Sequence, residues 1–393
     1  MNQLEQKKAD AIEETAPVSP RMALKKQKGP GLWITSVEGL AHEEFHLTLQ
    51  PLPGEKPAEM VRRLATVLRE KNATVVRHEI FGSNAAYKET MQILQRDIPD
   101  FDWPVMWIGG SKNTDNAISG MHMFAVAGVR VDTIRKKGEP IGRVFNDGCE
   151  RHCFLGNVKP SNLTASKSAQ CHEIFEKMER LLLEAGMDMA NVVRTWFFLD
   201  DILSWYTSFN TVRNEFYGQK KVFNGRAPAS TGIGGQNPFG AALVAGAWAI
   251  QTGEGSVVAH EVLSPLQCSS LEYGSAFSRA ILLTGSCGRR LLVSGTASIG
   301  LDGRSLHNGD LHGQIGLSMK VVGEILASRG FNFSDVTRAT AYFKNIQDTP
   351  AFDLWRERQG LELFPLITMQ STICRGELLF EIELDAISLG KTN

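Results

Sequence analysis

"GQIGLSMKVVGEILASRGFNFSDVTRATAYFKNI", residues 313–346, occurs twice in this chain in recognisable form. Its counterpart is "AQCHEIFEKMERLLLEAGMDMANVVRTWFFLDDI", residues 169–202. The two align without a gap: Gln170 with Gln314, Gly186 with Gly330, Val192 with Val336 and Arg194 with Arg338, each pair 144 positions apart. A repeat of this kind sets the fold before any single motif does. Each copy predicts a helix with a periodic apolar face, a stop at a glycine, a short turn, and a β-rich run, "VVRTWFFL" or "VTRATAYF".

The repeat extends outward in both directions. A second helical stretch follows, "SWYTSFNTVRNEFY" from Ser204 and "TPAFDLWRERQGLE" from Thr349, aligning Phe209 with Phe352 and Arg213 with Arg356. Upstream, "HCFLGNV" and "LLVSGTA" match as opening strands that carry Gly156 and Gly295. A fainter copy lies in front: "EMVRRLATVLREKNATVVRHEIFG" from Glu59 places Arg77 in register with Arg194 and Arg338, and "FAVAGVRV" from Phe124 echoes "LVAGAWAI" from Leu243. The chain of 393 residues thus divides into a mobile, charged N-terminal tail (1–30) and three α+β units, 31–140, 141–255 and 256–393.

The third unit, through "SGTASIGLDG", "NGDLHGQ", "SRGFNFSDVTRATAYFKNIQD" and "FEIELDAISL", resembles the RidA/YjgF family, also called endoribonuclease L-PSP. That resemblance implies a chorismate-mutase-like α+β fold, present three times here as a trimer fused into one polypeptide. Members of the family deaminate enamines and imines, gripping the substrate carboxylate with an arginine after P-A. Here "PASTG" places Ser230 where that arginine would stand, and "PLITMQST" and "PVMW" lack it as well. The motifs "FSRA" (Phe277 to Ala280), "VVRTW", "FNTVR", "PASTGIG" and "CRGELLFEIE" (Cys374 to Glu383) are similar instead to the chorismatase branch. Its members release pyruvate from chorismate by protonating the enolpyruvyl methylene.

The closing strand carries the candidate chemistry. Alternation puts Glu381, Glu383 and Asp385 on one face and Phe380, Ile382 and Leu384 on the other. Repeat alignment sets Val244 and Gly246 against Glu381 and Glu383, with Val126 and Gly128 as the equivalents in the first unit. Apolar residues at those positions predict an enclosed face, which raises a carboxyl pKa and suits a general acid. Glu381 or Glu383 is the candidate acid. Candidate anchors for a carboxylate substrate are Arg194, Arg213, Arg279 and Arg356, because a guanidinium holds a carboxylate bidentately. Ser278 and Cys374, from the resembling motifs, complete the predicted binding set. Arg194 and Arg338 recur in register with Arg77, which a fold-level salt bridge would also produce.

Composition narrows the function further. With 42% hydrophobic residues, 22% charged and a formal net charge of -1, the chain shows no basic footprint for nucleic acid. It has no apolar run of membrane-spanning length and no signal-like N-terminus, so a cytoplasmic protein with a small-molecule carboxylate partner is expected, as a monomer or low-order homo-oligomer. "CERHC", Cys149 to Cys153, comes nearest to a metal motif but has no second half at a plausible distance, and no metal or cofactor is expected. Three functions fit: a chorismatase-like hydrolase or lyase, a RidA-type deaminase, and a ligand-binding protein without catalysis.

Overall fold

A computed structural model describes residues 22–39, 42–110, 117–252, 258–285 and 288–389. It contains three six-stranded mixed sheets, each covered on one face by two helices. The first sheet holds β1 (Ala23–Gly29), β2 (Leu32–Glu38), β3 (Glu43–Leu49), β4 (Thr74–Gly82), β5 (Val105–Gly109) and β6 (Ile118–Ala127), with α1 (Pro57–Glu70) and α2 (Tyr87–Asp97). The second holds β7 (Val131–Lys136), β8 (Glu139–Asn146), β9 (Glu150–Val158), β10 (Val192–Leu199), β11 (Ala229–Gly234) and β12 (Leu243–Thr252), with α3 (Lys167–Glu184) and α4 (Tyr206–Gln219). The third holds β13 (Val258–Val262), β14 (Ala280–Gly285), β15 (Gly288–Ala297), β16 (Val336–Phe343), β17 (Leu366–Gln370) and β18 (Phe380–Ser388), with α5 (Leu311–Ala327) and α6 (Thr349–Arg358). Strand order is the same in each, β1-β2-β3-β6-β4-β5 in the first sheet and its counterparts in the others. The α+β unit is thus repeated three times.

The residues shared by the copies explain the repeat. Ser166 caps α3 by accepting from the Ala169 N–H, and Asp310 caps α5 by accepting from Gly313. Gly186 and Gly330 follow those helices at the same left-handed φ of +71°, the conformation a glycine stop requires. In the first unit Asn72 takes that position at φ +47°, which is why no glycine marks it. Gln170 accepts from the Ala242 N–H at 2.9 Å, and Gln314 from Leu379 at 2.7 Å. Each buried glutamine ties the start of a helix to the segment leading into its closing strand.

Two boundaries differ from the sequence reading. Residues 23–29 form β1, paired along its length with β2, so the first sheet begins inside the stretch read as tail; residues 1–21 lie outside the described residues. The lysines of "KKQK" suit an edge strand, where charge discourages further pairing. The second sheet starts at Val131, ahead of 141.

Each unit has its own apolar core between sheet and helices, such as Phe175, Phe197, Phe209 and Phe216 in the second. A further core, which includes Phe81, Met106, Trp196, Tyr342 and Ile367, draws on all three units and fills the space between the sheets. No helix among the described residues is long and apolar enough to cross a membrane.

Candidate active site

β18 passes between β15 and β16, and its two faces have different surroundings. Phe380, Ile382 and Leu384 pack into the core of the third unit. Glu381, Glu383 and Asp385 turn toward the other units and are 4%, 0% and 8% exposed, so the acidic face is enclosed.

Glu383 meets the repeated arginines. Its carboxylate lies 2.5 Å from Arg194 Nη2, accepts from Arg338 Nη2 and from Thr231 Oγ1, and receives the Tyr342 hydroxyl at 3.4 Å. Arg338 also pairs with Asp385 at 3.0 Å and lies 3.6 Å from Glu79, which is 2.5 Å from Arg77. All three guanidiniums surround the ring of Trp196, with Arg77 nearest at 3.5 Å from its centroid. Three arginines thus balance three carboxylates at the junction of the units. Burial alone would raise the Glu383 carboxyl, but Arg338 and Arg194 overcome it and hold the group down at about 2. Glu383, read from the sequence as a candidate acid, does not line the cleft described below, and these arginines favour its ionised form. Arg194, read as a substrate anchor, is its ion-pair partner and does not line that cleft either.

Two positions earlier on the strand, Glu381 leaves this network and lines a cleft of about 520 Å³ between the second and third units. Burial and the negative charge of Glu383 raise its carboxyl to about 8, while Arg279 and Arg194 pull the other way. Gly295, on the adjacent strand β15, makes room for it: a Cβ there would fall 2.1 Å from Glu381 Oε1. The glycine seen in the sequence as part of an opening strand is a cradle for this carboxyl.

Two guanidiniums enter the same cleft from opposite units. Arg213, on α4, is 1% exposed, donates to Asn210 Oδ1 at 2.6 Å, and lies 5.1 Å and 5.7 Å from the rings of Phe209 and Phe277. Arg279, just before β14, donates twice to the Cys268 carbonyl at 3.0 and 3.1 Å and stands 5.4 Å from Tyr273 and from Phe277. Neither has a carboxylate within ion-pairing distance among the described residues. Aromatic walls, with the Asn210 amide oxygen for Arg213 and the Cys268 carbonyl for Arg279, thus preset both cations with charge still to be neutralised. Cys374 also lines the cleft, where burial pushes its thiol up to about 12, away from the thiolate that a nucleophile needs.

Two predicted residues lie elsewhere. Arg356 donates to the Leu361 carbonyl at 2.9 Å and closes the C-terminal end of α6. Ser278 donates its hydroxyl to Ala227 at 2.7 Å and its N–H to Pro228, pinning the strands of two units together. Sequence reasoning missed Arg375, Tyr206 and Ser230 as lining groups. Arg375 stood beside Cys374 in a motif already singled out, and its approach to Tyr273, 5.4 Å, gives it a place at the rim.

The equivalent positions in the other units are closed. Strand register confirms Val244 and Gly246 as the counterparts of Glu381 and Glu383, but in the first unit it gives Gly120 and His122, not Val126 and Gly128. A Cβ on Gly120 would meet Ile367 at 2.8 Å and one on Gly246 would meet Met106 at 3.2 Å, and strand register sets Asn157, not Gly156, against Gly295. Neighbouring apolar side chains occupy the space that the Glu381 cleft leaves open.

The pattern of the endoribonuclease L-PSP family matches residues 157–237. Among solved structures, a chorismatase superposes on 80% of this chain and 93% of its own length with a TM-score of 0.58 at 17% identity. A Rid-family protein of unknown function from Yersinia pestis covers 33% of this chain and all of its own, with a TM-score of 0.29 and 21% identity. No curated protein matches in sequence. The chain is therefore three similar α+β units joined in a fold like that of chorismatase, with the endoribonuclease L-PSP pattern in its second unit.

Proposed function

We propose that this chain is a hydrolase or lyase that cleaves an enolpyruvyl ether on a small chorismate-like carboxylate, in the cleft between the second and third units. The observation that carries this reading is Glu381: a buried carboxyl raised to about 8, placed in a cleft with two guanidiniums free of carboxylate partners among the described residues. An enol ether is opened by proton transfer to carbon, and that step needs an acid still protonated near neutral pH.

Glu381 gives its proton to the terminal methylene, the π electrons form the new C–H bond, and positive charge develops on the ether carbon. Water adds to that carbon and returns a proton to the Glu381 carboxylate. Collapse of the hemiketal breaks the bond to the ring oxygen, leaving pyruvate and an alcohol. Arg213 and Arg279 hold the substrate carboxylates throughout, and those bound anions, like the Glu383 carboxylate, disfavour ionisation of Glu381. Fold likeness to chorismatase agrees with this reading, although function resides in the site and not in the fold.

Deamination of an enamine would use the same acid, but Ser230 occupies the place where the RidA signature has its arginine. The test is purified protein supplied with chorismate and, separately, with an enamine of a small amino acid. Pyruvate release supports the proposal, ammonia release supports deamination, and tight binding without turnover of either supports a binding role.

A further inference from the structure

The threefold repeat brings together a second set of polar residues, away from the cleft. Register across the closing strands makes His46, Phe154 and Leu292 equivalent, because they face Phe124, Trp248 and Asp385. Two positions earlier on the same strands stand Glu44, His152 and Arg290. All three are buried, and they meet His42, Asp147 and Glu150, which are also buried. The three units thus converge on six ionisable side chains at one end of their junction.

Their arrangement differs from the balanced network around Glu383. Glu44 lies 2.5 Å from Arg290 Nη2 and 3.2 Å from His42 Nε2. Asp147 lies 3.0 Å from His152 Nε2, and Glu150 lies 3.7 Å from the same nitrogen. Arg290 pairs with Glu44 on one side of the cluster, and His152 lies between Asp147 and Glu150 on the other.

One ring nitrogen of His42 and one carboxylate oxygen each of Glu44 and Asp147 lie within 4.8 Å of one another. His42 is 6% exposed, and its Nδ1 makes no hydrogen bond among the described residues. Asp147 belongs to a second such group with Glu150 and His152. There the Trp248 indole N–H donates to His152 Nδ1 at 3.3 Å, which leaves Nε2 carrying the ring proton and donating to Asp147. His152 is therefore an orienting partner of Asp147, and His42, Glu44 and Asp147 are the donors.

We propose that His42, Glu44 and Asp147, with Glu150 beside them, bind one divalent transition-metal ion that joins the first and second units, Arg290 of the third unit holding Glu44 in place. One imidazole and two carboxylates form a nitrogen and oxygen donor set that suits zinc-class ions, and outer hydrogen bonds of the His152 and Arg290 kind commonly orient such ligands. Entry is short: the cluster lies beneath the turn before β9, where Asn146, Gly148 and Cys149 are exposed. "CERHC" had no second half in the sequence; in the fold His42 and Glu44 supply it, and the ligands on its side are acids and not its cysteines.

The test uses the full chain, stripped with chelator, and titrated with Co²⁺ and Zn²⁺. Binding of one ion per chain, a visible d–d spectrum with Co²⁺, and a rise in Tm of about 2 °C or more at saturation are expected. Asp147→Asn should weaken binding at least tenfold, and Cys149→Ser should leave it unchanged. A folded wild-type chain that takes up neither ion would overturn the proposal. So would binding lost in Cys149→Ser but kept in Asp147→Asn, which would locate the ion at the exposed thiol.

Discussion

Replacing Glu381 by Gln should make the protein more stable while removing its chemistry. The Glu381 carboxyl is raised from an ordinary value of 4.5 to about 8 in the folded chain. Between those values the folded state holds a proton that the unfolded state has released, so stability falls as pH rises through this window and the loss is complete above about 8. At pH 7 the gap from the unfolded value is about 2.5 units, each worth about 1.36 kcal/mol, and the cost is on the order of 3 kcal/mol. Gln keeps the shape and carries no titrating group, so it escapes this cost. Urea melts of wild type and Glu381→Gln at pH 5, 7 and 9 give the answer: near equality at pH 5 and a growing advantage for the variant at pH 7 and 9, with unchanged m-values. A difference that does not vary with pH would refute the claim that Glu381 is neutral in the native state. The trade of stability for a protonated acid is a common feature of active sites.

Other perturbations separate the cleft from the junction behind it. Gly295→Ala places a methyl against Glu381 Oε1 and should swing the carboxyl aside, lowering kcat at least tenfold while circular dichroism and Tm stay near wild type. Arg279→Ala should raise KM by roughly 10- to 100-fold through loss of a charge-assisted contact, whereas Arg356→Ala, outside the cleft, should leave kcat/KM within about twofold. Glu383→Gln leaves Arg194 and Arg338 buried without their shared carboxylate and should destabilise by on the order of 3 kcal/mol in a urea melt. Because Glu383 is held at about 2, its contribution is present above the ordinary 4.5 and is lost only as pH falls toward 2, the opposite sense to Glu381.

The helix, glycine stop and strand were readable because each depends on neighbours in sequence, as Gly186, Gly330 and the repeated glutamines show. The enclosed acidic face was readable from the apolar residues opposite it in the second unit. Choosing between Glu381 and Glu383 was not, since two residues on one face of a strand are alike in pattern and differ only in what other units bring to them. Thr231 and Arg194 come to Glu383 from the second unit, and the missing side chain of Gly295 makes space for Glu381. The slip in the first unit moved the alignment by six residues, from Gly128 to the true counterpart His122. An even shift preserves alternation, so periodicity alone does not reveal it. Arg213 and Arg356 hold matching places in the repeat, yet only the first lines the Glu381 cleft, which lies between the second and third units.

The central claim is that a neutral Glu381 donates the proton, and the dependence of pyruvate release on pH tests it most directly. With chorismate as substrate, the account predicts a rate that is level below about 8, falls about tenfold per pH unit above it, and is lost in Glu381→Gln at every pH. A rate that rises through the same range, or a variant as active as wild type, would contradict it.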